Sequence, residues 1–255
     1  MLHHEDRNGI LWLTMDRSPA NALNNALLRE LVPVLENAAT DPHVRGVVIR
    51  GAGDRFFTAG GDVKEFATLS QEGGLERVAF GSRLKAALGN LPCPYVCAVN
   101  GAAIGSGMEM AALADFCVAS ETARFGMPEI NHGLLPMAKG IQQLVRVIGL
   151  NNTKQVLFSG DIISAQTAME MGLVHEIVSP EQLDERAWAW ISAMAAKPPE
   201  LFRALKQTIA TCLFMSDQEL EERTKEDLKS YFGADESRAR RDDYLERQRA
   251  RKTVA

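Results

Sequence analysis

Two rhythms alternate along most of the chain. Short β-rich runs at Ile10 to Met15, Val44 to Arg50, Tyr95 to Asn100, Phe116 to Ala119 and Leu173 to Val178 have the pattern of sheet strands. Between the first two, Leu27, Leu28, Leu31, Val34, Leu35 and Ala38 recur at the spacing of one helix face. An amphipathic, core-facing helix is therefore predicted from Asn25 to Ala39, ending before Asp41 and Pro42. Strands alternating with helices favour an α/β domain. Near residue 180 the texture changes: Pro180, Pro198 and Pro199 punctuate a segment that has no further β-rich run and turns helical. It is charge-dense from Asp217 to Lys229 and then carries Arg238, Arg240, Arg241, Arg247, Arg249, Arg251 and Lys252 interleaved with acids. Such interleaving marks solvated helix faces, with subunit or anionic-ligand contact as the alternative.

Composition narrows the function classes. The 255 residues hold 28 Lys+Arg against 33 Asp+Glu, a net charge of −5, which excludes a dedicated basic nucleic-acid module. Hydrophobic residues at 46% and charged residues at 24% are globular values and exclude disordered, collagen-like and coiled-coil readings. Cys93, Cys97, Cys117 and Cys212 lack CxxC or CxxH spacing, and the opening MLHHEDRNG has no apolar stretch of the signal-peptide kind. No run approaches the ~18 apolar residues of a membrane span. A soluble, cytoplasmic protein without a membrane partner is expected, in a reducing compartment. His3, His4, His43, His132 and His175 are isolated from one another and from metal-ligand spacing, so no metal is expected.

Chemistry concentrates in two glycine-rich turns and two acids. In Phe56-Phe57-Thr58-Ala59-Gly60-Gly61-Asp62-Val63-Lys64-Glu65-Phe66 an aromatic run leads into a small flexible turn, with Asp62 placed to cap a short helix. The second turn, Asn100 to Met110, follows a strand and opens a helix at Ser106. Amides at such helix starts bind negative charge, because unsatisfied N–H groups and the helix dipole point the same way, although an ordinary capping turn has the same residues. Neither turn fits GxGxxG or GxxxxGK[ST], and Ser106 lacks the glycines of GxSxG. Glu109 falls in the first turn of the second helix, and Glu129 follows Pro128 in an apolar stretch, either paired in the core or desolvated for proton transfer. Together these point to carbonyl activation with proton transfer.

The motifs Asp16 to Asn24, Phe57 to Asp62, Asn100-Gly101, Gly105 to Glu109 and Phe125 to Glu129, in this order and spacing, resemble the enoyl-CoA hydratase/isomerase, or crotonase, superfamily. The resemblance covers residues 10 to 180 well. It implies a spiral of ββα units over residues 1–195 and a helical region over 196–255 used in trimer contacts, with a homotrimer or a hexamer built from two trimers. It implies an acyl-CoA thioester as the small-molecule partner, no separate cofactor, and an oxyanion hole from the N–H groups of Gly61 and Ser106. By the same transfer Glu109 and Glu129 are the catalytic acids, and Ala20, Asn21, Ala22, Ala59, Gly60, Gly61, Asp62, Val63, Lys64 and Gly105 lie beside the CoA thioester. Retention of both acids favours hydration of a trans-2-enoyl-CoA. The alternatives are a Δ3,Δ2-enoyl-CoA isomerase, an acyl-CoA hydrolase and a non-catalytic acyl-CoA-binding subunit. The chain departs from the usual pattern at Gly61, Ser106 and Met108, and between Leu134 and Leu144, where the family has more glycine and an Arg close to Gln143.

Overall fold

A computed structural model describes residues 1–136 and 138–253, with side chains for all of these except 138 and 250–253. Two compact units result, Met1–Met194 and Ala195–Ala255. The first begins with β1 (Leu2–Arg7), β2 (Ile10–Met15), α1 (Asn25–Ala38), β3 (Gly46–Gly51), β4 (Phe56–Thr58), α2 (Val63–Phe66) and α3 (Gln71–Gly89). It continues through β5 (Tyr95–Val99), β6 (Ala102–Ile104), α4 (Ser106–Leu113), β7 (Phe116–Ser120), β8 (Arg124–Gly126) and a 3₁₀ turn (Pro128–His132). Then come α5 (Ala138–Ser159), β9 (Ile162–Ser164), α6 (Ala165–Glu170), β10 (Glu176–Val178) and α7 (Leu183–Ala195).

The topology is the spiral of ββα units that the resemblance implies. One sheet has the order β1-β2-β3-β5-β7-β10 and the other β4-β6-β8-β9. Each pair β3/β4, β5/β6 and β7/β8 gives its first strand to the larger sheet and its second to the smaller before the chain turns into a helix. All neighbours are parallel except the β1/β2 hairpin and the β8/β9 pair. Parallel neighbours joined in this way bring successive strand ends, and the loops that follow them, side by side.

Helix α1 shows how sequence becomes packing. The Asn24 side chain accepts the Leu27 N–H at 2.9 Å and starts the helix. Leu27, Leu28, Leu31 and Leu35 are then fully buried in one core with Val47, Ile49 and Val99. Each such burial contributes about 1.5–3 kcal/mol, and Leu31→Ala should cost about 2–5 kcal/mol by leaving a cavity.

Elements that the apolar pattern does not predict are short or polar. Strand β1 reads LHHEDR and is exposed along its middle. It is held by the hairpin turn at Asn8 and Gly9, with φ of 57° and 82°, the left-handed pair of a two-residue turn. The three-residue strands β4, β6, β8 and β9 are too short to show a period. The last predicted strand shrinks to Glu176–Val178, because Gly172, Leu173 and Val174 close the end of α6: the N–H groups of Leu173 and Val174 both donate to the Ala168 carbonyl. The predicted strand from Val44 starts instead at Gly46, since Val44 N–H closes a turn onto the Asp41 carbonyl.

The second unit holds α8 (Pro199–Thr211), α9 (Asp217–Tyr231) and α10 (Asp235–Thr253). A reciprocal box between Ser216 and Glu219 starts α9, and its charges pair along the helix, as in Arg223 with Asp227 at 3.0 Å. In α10, Arg240 pairs with Glu236 and Arg247 with Asp243, the solvated pattern expected of interleaved charge.

Candidate active site

Two loops and one helix face build the site. At the end of β4 the Thr58 hydroxyl donates to the Asn21 carbonyl at 2.7 Å and accepts the Gly60 N–H at 3.1 Å, fixing the first turn from inside. Gly60 has φ of 83°, in the left-handed region. Leu23 bridges this turn: its N–H donates to the Gly60 carbonyl at 2.8 Å and its carbonyl accepts the Asp62 N–H at 3.3 Å. The Gly61 N–H lies between these two bonds and outside the bridge they form. Asp62 then caps α2, accepting from Lys64 and Glu65 N–H groups, and receives the Arg17 guanidinium at 2.6 Å. Burial works against its ionisation, but the Glu65 N–H and Arg17 outweigh it and hold the carboxyl below its ordinary range.

The second loop turns at Gly105, with φ of 53° and ψ of −116°. The first bond of α4 runs from Glu109 N–H to the Gly105 carbonyl at 3.0 Å. The Ser106 N–H therefore belongs to the donors that a helix start leaves without an intrahelical partner, at the positive end of the dipole. The two loops touch: a Cβ at Gly60 would stand 2.6 Å from the Ile104 carbonyl oxygen and 3.5 Å from the Ser106 nitrogen. A Cβ at Gly105 would stand 2.7 Å from Glu129 Oε1, so the acid of the 3₁₀ turn lies directly against the second loop.

The two acids have unlike surroundings. Glu109 is 3% exposed, and its Oε1 accepts from Lys85 Nζ at 2.7 Å. Burial pushes the Lys85 ammonium down from its ordinary range, and the charge of Glu109 offsets part of that. Glu129 has no ion pair among the described residues, and its buried Oε2 has no hydrogen-bond partner. Burial raises its pKa, and the charge of Glu109 adds to the rise.

A cavity of about 280 Å³ gathers these parts. Of the residues singled out in the sequence, Ala59, Gly60, Gly61, Val63, Gly105, Ser106, Glu109 and Glu129 line it. Ala20, Asn21, Ala22, Asp62 and Lys64 do not. Asn21 is buried, and its amide donates to the carbonyls of Ala52 and Phe56, so its side chain is committed to the scaffold. The carbonyls of Ala20 and Ala22 accept from Ala59 N–H and Arg17, while the Lys64 side chain is exposed.

Two cations escaped the sequence reading. Arg77 is 6% exposed, donates to the Leu23 carbonyl at 3.0 Å and lines the cavity; Lys85 holds Glu109. The signal was present on α3, where Arg77, Gly81, Leu84, Lys85 and Leu88 are all buried and follow one helix face. A cation on such a stripe must find a partner, and both do. Among the described residues no cluster of His, Cys, Asp and Glu could hold a metal ion, and no helix is long and apolar enough to cross a membrane.

Residues 5–252 match the family model described as enoyl-CoA hydratase/isomerase. The chain is 42% identical over 203 residues to a 2,3-dehydroadipyl-CoA hydratase of Escherichia coli (strain K12), covering 78% of each chain. It is 34% identical over 206 residues to a short-chain-enoyl-CoA hydratase of Clostridium acetobutylicum, covering 80% of this chain and 79% of the relative. Among solved structures, an enoyl-CoA hydratase from Bacillus anthracis superposes with a TM-score of 0.88 at 29% identity, over 99% of this chain and 96% of the other.

Proposed function

The chain belongs to the enoyl-CoA hydratase/isomerase family, and from that premise we propose that it adds water across the C2=C3 bond of a trans-2-enoyl-CoA. One observation carries the reading: Glu109 and Glu129, one ion-paired and one not, face a single cavity where the Gly61 and Ser106 loops meet.

The thioester oxygen accepts from the Gly61 and Ser106 N–H groups, which draw electron density from C3 and hold the enolate as it forms. Donors fixed in advance need no reorganisation when the charge develops. Glu109, paired with Lys85 through Oε1, offers Oε2 to one O–H of a water. As the water oxygen bonds C3, the protonated oxygen of Glu129 gives its proton to C2, and the other Glu129 oxygen takes the second water proton. The product gains one water, and Glu129 returns to its neutral form. A raised pKa suits this role, since the acid must hold a proton near neutral pH.

The loop from Ala59 to Lys64 and the Ala20-Asn21-Ala22 segment lie beside the CoA portion, which enters as part of the substrate. The relatives named above are a 2,3-dehydroadipyl-CoA hydratase and a short-chain-enoyl-CoA hydratase, and the apolar side chains Val63, Phe66, Val78 and Leu134 around the cavity support a short acyl chain. Exposed Leu205, Ile209, Leu213 and Phe214 in the helical unit support self-assembly, as a homotrimer or hexamer; light scattering of the purified protein tests that.

The activity test is incubation with crotonyl-CoA in ¹⁸O-labelled water, with 3-enoyl-CoA in parallel. Hydration gives a product one labelled water heavier. An unchanged mass with a shifted double bond indicates an isomerase, release of free CoA a hydrolase, and binding without turnover a non-catalytic acyl-CoA carrier.

A further inference from the structure

The fold places a lysine where a hydratase of this design has no evident need for one. Lys85 lies mid-core on α3, with its side chain 4% exposed, and its ammonium reaches a glutamate whose side chain is 3% exposed. Burying two charges is unfavourable unless they meet closely, and at 2.7 Å they do. The contact uses Glu109 Oε1 alone. There α5 approaches so closely that a Cβ at Gly140 would fall on that same Oε1, so only glycine leaves the carboxylate its place. Lys85 and the backbone at Gly140 thus both meet Oε1, which is committed to the protein, while Glu109 lines the cavity.

From this geometry we infer that Lys85 is a positioning residue for hydration: by holding Glu109 through Oε1 it aims the other carboxyl oxygen at the attacking water. It does not touch substrate. The inference rests on the hydratase reading and on the water-binding role of Glu109, and it separates the two half-tasks of the site. Water orientation depends on the Lys85–Glu109 pair, whereas proton exchange at C2 depends on Glu129 and the two backbone donors. Without Lys85, the Glu109 carboxylate loses the contact that holds Oε1, and its other oxygen is no longer aimed at the water.

The test compares Lys85→Met, Glu109→Gln and the double variant by two assays on each folded protein: hydration of crotonyl-CoA, and exchange of the C2 proton of butyryl-CoA in D₂O. Lys85→Met is expected to lower kcat for hydration ~10- to 100-fold, the worth of one charge-assisted hydrogen bond. KM should stay within about threefold and C2 exchange should be retained, because Glu109 itself neither binds the substrate nor moves the C2 proton in this mechanism. The double variant should be no slower than Glu109→Gln alone, because each change removes the same function. The inference is overturned if Lys85→Met keeps more than half of the wild-type kcat while Glu109→Gln is slow. Multiplying losses in the double variant, or equal loss of exchange and hydration, also overturn it. If Lys85→Met does not fold, Lys85→Gln replaces it, with the same expected pattern and the same overturning results. Normal hydration by Glu109→Gln counts against the hydratase mechanism itself, which keeps the two failures apart.

Discussion

The first turn of α4 and the 3₁₀ turn after β8 each deliver one glutamate to the same cavity, in different surroundings. Glu109 arrives on a regular helix, is held by an ammonium at 2.7 Å and takes up the space that a side chain at Gly140 would fill. Glu129 arrives on five residues of 3₁₀ turn, lies against Gly105 and leaves Oε2 buried without a partner. A paired carboxylate is a fixed acceptor, whereas an unpaired buried one prefers its proton and can give it away. The difference teaches that residue type alone does not assign a role: the partner on α3 does.

The largest effect expected from breaking this asymmetry is at Glu129. Glu129→Gln keeps the shape and removes the transferable proton, so kcat should fall ~10²- to 10⁴-fold while acyl-CoA binding stays within about tenfold. Steady-state kinetics with a binding titration check both, and a variant above half the wild-type kcat removes Glu129 from proton transfer.

Next comes the pair of donors proposed for the thioester oxygen. Gly61→Pro deletes one N–H and should lower kcat ~10²- to 10³-fold, provided circular dichroism and melting show a folded protein. Gly61→Ala keeps the N–H and places a Cβ 3.2 Å from Arg77 Nη2, a gap the guanidinium can widen, so its rate should change little. Ser106→Ala should also be near normal; an inactive Ser106→Ala points instead to a serine nucleophile.

A smaller effect separates the acids by stability. Folding raises the Glu129 pKa, so the folded state binds that proton more tightly than the unfolded chain. The resulting stability is present below the ordinary glutamate range and is lost as pH rises through the raised value. Glu129→Gln should therefore melt higher than the wild type at pH 8, with the gap closing as pH falls into the ordinary glutamate range. A gap that does not vary with pH contradicts the desolvation argument.

Much of this site was legible in the sequence because its parts are local. Gly60-Gly61-Asp62 announces a turn and a cap, and Glu109 four residues after Gly105 announces a first-turn acid; both are where spacing put them. The spiral itself entered through resemblance, since three-residue strands such as β6 and β8 carry no period. The Lys85–Glu109 pair was hidden for another reason: its members are 24 residues apart, and only the packing of α3 on α4 joins them. The buried stripe on α3 shows that Lys85 needs a partner without saying which one. Asn21 illustrates the converse, a motif residue whose polar atoms serve the scaffold.

The division of labour between the two acids is tested most directly by measuring C2 hydrogen–deuterium exchange of butyryl-CoA in D₂O at mildly alkaline pH for the wild type, Glu109→Gln and Glu129→Gln. Exchange needs a base at C2 and an enolate held by Gly61 and Ser106, but no water bound at C3. Glu109→Gln should exchange within about threefold of the wild type while hydrating crotonyl-CoA ~10- to 100-fold more slowly, and Glu129→Gln should lose both activities. If Glu109→Gln loses exchange as deeply as hydration while remaining folded, the two acids act as one unit and the separate roles assigned to them are wrong.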